Sequence, residues 1–246
     1  MKPSALLQTV WFTTAALAAQ GCATYLPQLH LESPEATGSE KIGRAEFAGT
    51  QGGIDLVQPT TLSYPSPDAN GVVGSPTPML QTSWANYFLG FVKGFGDQWD
   101  VGIRIQPSAP LLIRVKYQFL GEPESRAELW NFSLAGLVSP GFSLSAGANG
   151  TSQIFFTADA ALLAGIRLGV NHLVWLAPHF TFGSISGLPT TAGGSAGTVI
   201  AYGGGIGYQL TVLGFFGRAE FVWNWGSSGS AQYSGPAMGA VLGLRL

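Results

Sequence analysis

The chain is predicted to be all-β, closed as an antiparallel, up-and-down transmembrane β-barrel of about ten strands. Three observations predict this. The first is alternation with a period of two: Trp99, Val101, Ile103 and Ile105 share one face of a segment whose other face is Asp100, Gly102, Arg104 and Gln106. The next segment repeats it, with Leu111, Ile113, Val115, Tyr117 and Phe119 opposite Leu112, Arg114, Lys116 and Gln118. The second is scarcity of charge. Only 10% of the 246 residues are charged, against about 25% in an ordinary soluble domain. From 129 to 246 there are five charges in 118 residues: Asp159, Arg167, Arg218, Glu220 and Arg245. The third is that no run of about 20 apolar residues follows the N-terminal region, which argues against a helical bundle. A soluble sandwich gives the same alternation with the apolar face inward, but this composition could not solvate its surface. A closed barrel satisfies every backbone group in lipid. A net charge of −2 with no basic cluster excludes nucleic acid as a partner.

Residues 1–21 read as an export signal, with Lys2 near the start, an apolar stretch over 5–19 and a small-residue exit at Ala19-Gln20-Gly21. Cys22, the single cysteine, follows directly. Its position resembles the lipobox of bacterial lipoproteins, where the cysteine becomes the lipidated first residue; Ala19 stands where that motif usually has Leu. An ordinary signal peptide cut nearby and an uncleaved anchor are the alternatives. Residues 22–40, with Pro27, Pro34 and three glutamates, have no usable periodicity and read as an extended periplasmic leader.

The barrel is expected over 41–246, with strands at 41–49, 84–94, 99–106, 111–120, 128–138, 152–168, 173–183, 198–210, 215–225 and 237–246. Prolines 59, 65, 67, 76 and 78 exclude a central strand from 50–82, which reads as a long extracellular loop. Long loops are also expected at 139–151, 184–197 and 226–236, and shorter connections at 95–98, 107–110, 121–126, 169–171 and 211–214. Eight strands remain possible if the first is unpaired and Pro178 breaks the seventh.

Pattern and topology together resemble bacterial outer-membrane β-barrels of the small, OmpA-like size class, over residues 41–246. The resemblance implies short inner turns, long outer loops, a lipid-facing surface and insertion by the outer-membrane assembly machinery. Such barrels commonly end in an aromatic residue that aids assembly; this chain has Gly243-Leu244-Arg245-Leu246 there. A lipoprotein-type signal peptide before the barrel makes the bacterial outer membrane the expected location. An envelope protein partner could be met through the extracellular loops.

Parity places Arg44, Glu46, Asp100, Arg104, Arg114, Lys116, Asp159, Arg167, Arg218, Glu220 and Arg245 inside, because a charge on the lipid face costs roughly 2–4 kcal/mol at midplane. Ile103, Val115, Phe132, Leu134, Leu162, Ile166, Phe180, Ile200, Ile206, Phe221, Leu242 and Leu244 fall outside. Seven cations thus meet four anions. About ten strands should leave the lumen mostly filled, so a structural, scaffold or surface-interaction role is expected. A narrow, anion-favouring channel lined by Arg104, Arg114, Lys116, Arg167 and Arg218 is the alternative. An aromatic girdle is expected from Trp84, Trp99, Trp130, Trp223 and Trp225 at strand ends, with sugar stacking on Trp223 and Trp225 a lesser reading.

Catalysis has little support. His179 and Thr181 share a face, but no acidic third member is evident in the sequence nearby. Ten-stranded outer-membrane proteases carry acids and a histidine at the extracellular rim, whereas His172 and His179 fall lower. Gly203-Gly204-Gly205-Ile206-Gly207 lacks the Lys-Ser/Thr of a phosphate loop. No enzyme, cofactor or metal site is expected.

Overall fold

The computed structural model describes residues 23–25, 29–38, 43–57, 79–82, 86–106, 111–146, 152–186, 197–228 and 231–246. These form strands β1 (Ala23–Tyr25), β2 (Arg44–Gly52), β3 (Ile54–Val57), β4 (Met79–Thr82), β5 (Asn86–Phe95), β6 (Trp99–Ile105) and β7 (Leu111–Leu120). They continue as β8 (Phe132–Ala146), β9 (Ser152–Gly169), β10 (His172–Leu176), β11 (His179–Ser186), β12 (Gly197–Val212), β13 (Phe215–Ser228) and β14 (Ala231–Arg245). Each wall strand pairs antiparallel with its neighbours, and β14 closes on β2 from Ala237 opposite Gly52 to Arg245 opposite Arg44. The wall is a closed barrel with ten strand positions.

The seventh position is shared by β10 and β11, which flank Ala177-Pro178. Proline has no N–H to give the ladder, yet both halves stay paired with β9 and β12. The Ala177 N–H donates to Gly205 O at 2.9 Å, Ala177 O accepts from the Gly205 N–H at 3.1 Å, and the Leu162 N–H donates to Pro178 O at 3.0 Å. The strand therefore runs through the proline, and the eight-stranded alternative falls.

Several boundaries differ from the sequence expectation. The expected loop 226–236 is almost wholly strand, since β13 reaches Ser228 and pairs with Ala231; its glycines and serines fit an extended ladder as readily as a loop. Likewise β8 runs on to Ala146 through most of 139–151. The stretch 128–131, expected in a strand, turns instead: Trp130 adopts φ +65° and Asn131 N–H donates to Glu128 O at 3.2 Å. The ends of the expected loop 50–82 are also strand. β3 and β4 pair with each other, and β1 pairs with β3, in a small separate sheet. All five prolines lie outside the described strands, at 59–78.

Short connections at 96–98, 121–131, 170–171 and 213–214 share one end of the barrel with Gly43 and Leu246, whose backbones bond at 2.8 Å. In the 213–214 hairpin, Leu213 and Gly214 have φ of +49° and +86°, the paired left-handed conformations that let a two-residue turn follow strand twist. The loop from β2 to β5 lies at the opposite end.

Burial alternates strictly along β5, β6 and β13. Outward residues such as Phe47, Leu89, Ile103, Phe132, Leu162, Phe221 and Leu242 are large, apolar and exposed. The lumen is not purely polar, however. Leu137, Leu163, Leu173 and Trp175 pack together inside β8–β10, and Phe88, Phe216, Val222 and Val241 form a second inner cluster. Glycine makes room for the largest of these: a Cβ at Gly207 would stand 2.0 Å from the Trp175 ring.

Gly207→Ala should therefore cost about 1–3 kcal/mol in a urea titration by overpacking. Gly204→Ala, whose new Cβ meets nothing within 4 Å, should stay within about 0.5 kcal/mol.

Candidate functional site

The lumen is filled by the chain's own N-terminal segment. Residues 29–38 are all buried, though their sequence suggested a leader outside the barrel. They enter where Leu29 and Leu31 pack with Ala48, Phe88, Val222 and Ala237. They leave at the short-turn end, where Gly38 abuts Pro123, Ser125 and Gly94. The segment therefore threads the lumen from the long-loop end to the short-turn end, and β2 then climbs back in the wall. β1 belongs to the long-loop end, since it pairs with β3 just beyond Gly52 and Gly53.

All eleven residues expected to face the lumen do so, ten of them at 3% exposure or less and Arg245 partly buried. Their partners are mainly on the threaded segment. Glu32 receives Arg44 at 2.7 Å, Arg114 at 2.6 Å, Lys116 at 3.1 Å and Arg218 at 3.5 Å. Glu35 takes both Nε (3.0 Å) and Nη2 of Arg167. His30 sits between Asp159, at 2.9 Å, and Glu220, at 3.4 Å. The lumen cations also meet Glu46 and Asp100 from the wall strands and Glu124 from the β7–β8 connection, whereas Asp159 and Glu220 are met by His30. Glu32 and Glu35 bring the described lumen carboxylates to seven, against seven Arg and Lys side chains and His30. Burying unmatched charge costs several kcal/mol per ion, so this pairing is what allows so ionic a lumen to close.

Glu46 is a second meeting point for the lumen cations. Arg218 does meet Glu46, at 2.9 Å, and Arg44 and Arg114 approach it at 3.8 and 3.4 Å. Glu220 instead accepts the Leu31 N–H, and Arg245 turns to Glu124. Glu32, Glu35, His30, Glu124, Gln209 and Trp175 are lumen residues that the sequence reading did not single out.

The threaded backbone is also held by the wall. Arg104 donates to the carbonyls of Leu29, at 2.9 Å, and His30, and its guanidinium lies 3.9 Å from the Phe88 ring centroid. Lys116 donates to Ser33 O at 3.0 Å and Glu35 O at 2.7 Å, and Arg218 to Leu31 O at 3.2 Å. Asp100 accepts the Thr37 N–H at 3.0 Å, and Gln118 accepts that of Ala36. The ladder-free segment thereby has much of its main chain bonded to wall side chains.

An acid does stand beside His179 and Thr181: Asp159 accepts the Thr181 hydroxyl at 2.7 Å. The imidazole bonded to Asp159 belongs to His30, however, while His179 Nε2 faces Asn224 Oδ1 at 2.9 Å. Among the described residues, no group of three or more His, Cys, Asp or Glu could hold a metal. Trp99 and Trp130 stand exposed at the short-turn end, and Trp223 and Trp225 toward the other end of β13, with Trp225 stacked on Tyr202 at 5.9 Å. Trp84 and Cys22 lie outside the described residues.

Fold and site together define a closed ten-stranded antiparallel β-barrel threaded by its own N-terminal segment. No protein-family model matches the chain, and no curated protein matches it. One similar solved structure is described as a bacterial polysaccharide outer membrane secretin. It is 8% identical, with a TM-score of 0.30, over 84% of this chain and 99% of that one. A likeness at that TM-score carries no weight for fold or function.

Burial alone would raise the carboxyl of Glu124, but Arg245, Arg44 and Arg218 and the hydrogen bond from Arg245 hold it at about 2. Its folded value lies below its ordinary one, so its stabilisation is present above about pH 4.5 and fades as pH falls toward 2. Glu124→Gln should lower urea stability by about 2–3 kcal/mol at pH 7, with the gap to wild type shrinking through that window. A gap independent of pH would contradict the pairing.

Proposed function

We propose that the chain is a lipid-anchored β-barrel of the bacterial outer membrane. In this reading the lumen is closed from within, and the long-loop end is presented to a partner or surface as a scaffold. The observation that carries the reading is the pairing of a buried, ion-paired lumen with an outward apolar wall. Exposed apolar surface of that extent in a water-soluble monomer would be an aggregation liability, whereas lipid covers it without cost. The tryptophans near both ends suit the two membrane interfaces. The threaded segment weighs against the channel alternative, because the cations that would line an anion path are engaged by Glu32, Glu35 and backbone carbonyls. No catalytic step is part of the proposal.

With short turns toward the periplasm, β1 stands on the outer side, since it pairs with β3 of the long connection. A lipid on Cys22 would then belong to the outer leaflet. Palmitate labelling that disappears in Cys22→Ala supports the anchor; labelling that persists contradicts it.

The purified protein should show heat-modifiable gel mobility in detergent and no steady unit currents in planar bilayers. A soluble monomer without detergent would sink the membrane reading. Steady anion-selective currents from the intact chain would transfer the assignment to a channel.

A further inference from the structure

The segment 29–38 is held as a ligand is held. The ten wall strands close on each other without it, and its main chain makes its bonds chiefly to side chains rather than joining a ladder. The contacts have a definite grammar. Carbonyls are read by cations, which recognise an extended backbone whatever its side chains. Two carboxylates three residues apart are read by separate basic groups, Glu32 chiefly by Arg114 and Arg44 and Glu35 by Arg167. Between them Pro34 lies over Gly165, where a Cβ would approach its ring within 2.7 Å. The wall and turn alone set seven Arg and Lys side chains against five described carboxylates, and the segment brings Glu32 and Glu35 to the cations and His30 to Asp159 and Glu220, so the vacated lumen would favour an occupant with carboxylates at these two places and a basic or hydrogen-bonding group beside Asp159.

We propose that the lumen is a binding tunnel for an acidic, extended peptide of the pattern Glu-Ser-Pro-Glu, and that residues 29–38 are its exchangeable occupant in cis. The proposal rests on the reading of the chain as a closed, filled barrel. Tethering supplies the cis occupant at an effective concentration of roughly millimolar, which explains how a non-covalent plug can remain seated while still being replaceable. The ligand class follows from the contacts: free amides and carbonyls along an extended chain, a small residue and a proline at the Gly165 wall, and carboxylates at both flanks.

The test uses the full chain, folded in detergent, with a protease site placed between residues 38 and 43 and cut after folding. A fluorescent synthetic peptide of residues 29–38 is then added in excess. The proposal expects the N-terminal fragment to leave and the labelled peptide to bind the still heat-modifiable barrel one to one. The same peptide carrying Glu32→Gln and Glu35→Gln should compete at least tenfold less well, as loss of charge-assisted contacts requires. Retention of the fragment with no uptake at millimolar peptide would overturn it. So would equal binding of the neutral peptide, or loss of barrel mobility on cutting, which would make the segment part of the fold. In uncut protein, the Leu31, Ala36 and Thr37 amides should exchange with deuterium before those of β13; equal protection overturns the proposal. If uncut protein lacks heat-modifiable mobility, the barrel reading fails; if exchange fails in an intact barrel, only this inference does.

Discussion

Four cations from three wall strands converge on the Glu32 carboxylate, and the interior depends on that convergence. Arg44 comes from β2, Arg114 and Lys116 from β7, and Arg218 from β13. These groups are buried, where like charges repel strongly and lost hydration is not replaced by solvent. A carboxylate placed among them turns mutual repulsion into attraction. It also ties strands on opposite sides of the barrel to one internal point. The rest of the segment extends the arrangement, with Glu35 neutralising Arg167 and Asp100 bridging Arg44, Lys116 and the Thr37 amide.

The interior divides accordingly. Most charged residues lie on β2, β6, β7 and β13, while β8–β10 present Leu137, Leu163, Leu173 and Trp175 alongside Asp159 and Arg167 of β9. The segment lies between these faces, with Pro34 against Gly165 and the Trp175 side and Glu32 among the cations. A polar lining would fit a water-filled pore. This lining fits an amphipathic occupant and supports a filled lumen. The outer face is largely apolar, with Lys93 an exception near the short-turn end, because the strand period of two assigns alternate residues to one side.

Much of the wall was legible because that period is rigid. One charge assigns the inward parity of its strand, so Asp100 and Arg104 orient β6, Arg114 and Lys116 orient β7, and Arg218 and Glu220 orient β13. Strand ends were less legible: the Gly/Ser-rich 226–236 region reads as loop by composition but is held extended by pairing across β13 and β14. The threaded segment was missed because its partners lie up to 190 residues away and it has no periodicity of its own. A signal did exist. Seven inward cations against four inward anions cannot be buried without further carboxylates. Residues 22–40 hold three glutamates that belong to no wall strand. An imbalance in a predicted lumen is thus evidence for an occupant, and the acidic segment adjoining the barrel is the first candidate.

A double-mutant cycle between Glu32 and Arg114 tests the central claim most directly, because it isolates one link between segment and wall, the 2.6 Å ion pair. Unfolding of wild type, Glu32→Ala, Arg114→Ala and the double variant would be followed in urea by loss of heat-modifiable mobility. Each single change leaves buried charge unmatched and should cost about 3–5 kcal/mol, with the double change costing less than their sum by at least about 2 kcal/mol. Additive losses, with coupling under about 0.5 kcal/mol, would mean that Glu32 does not sit among the wall cations and that residues 29–38 do not fill the lumen.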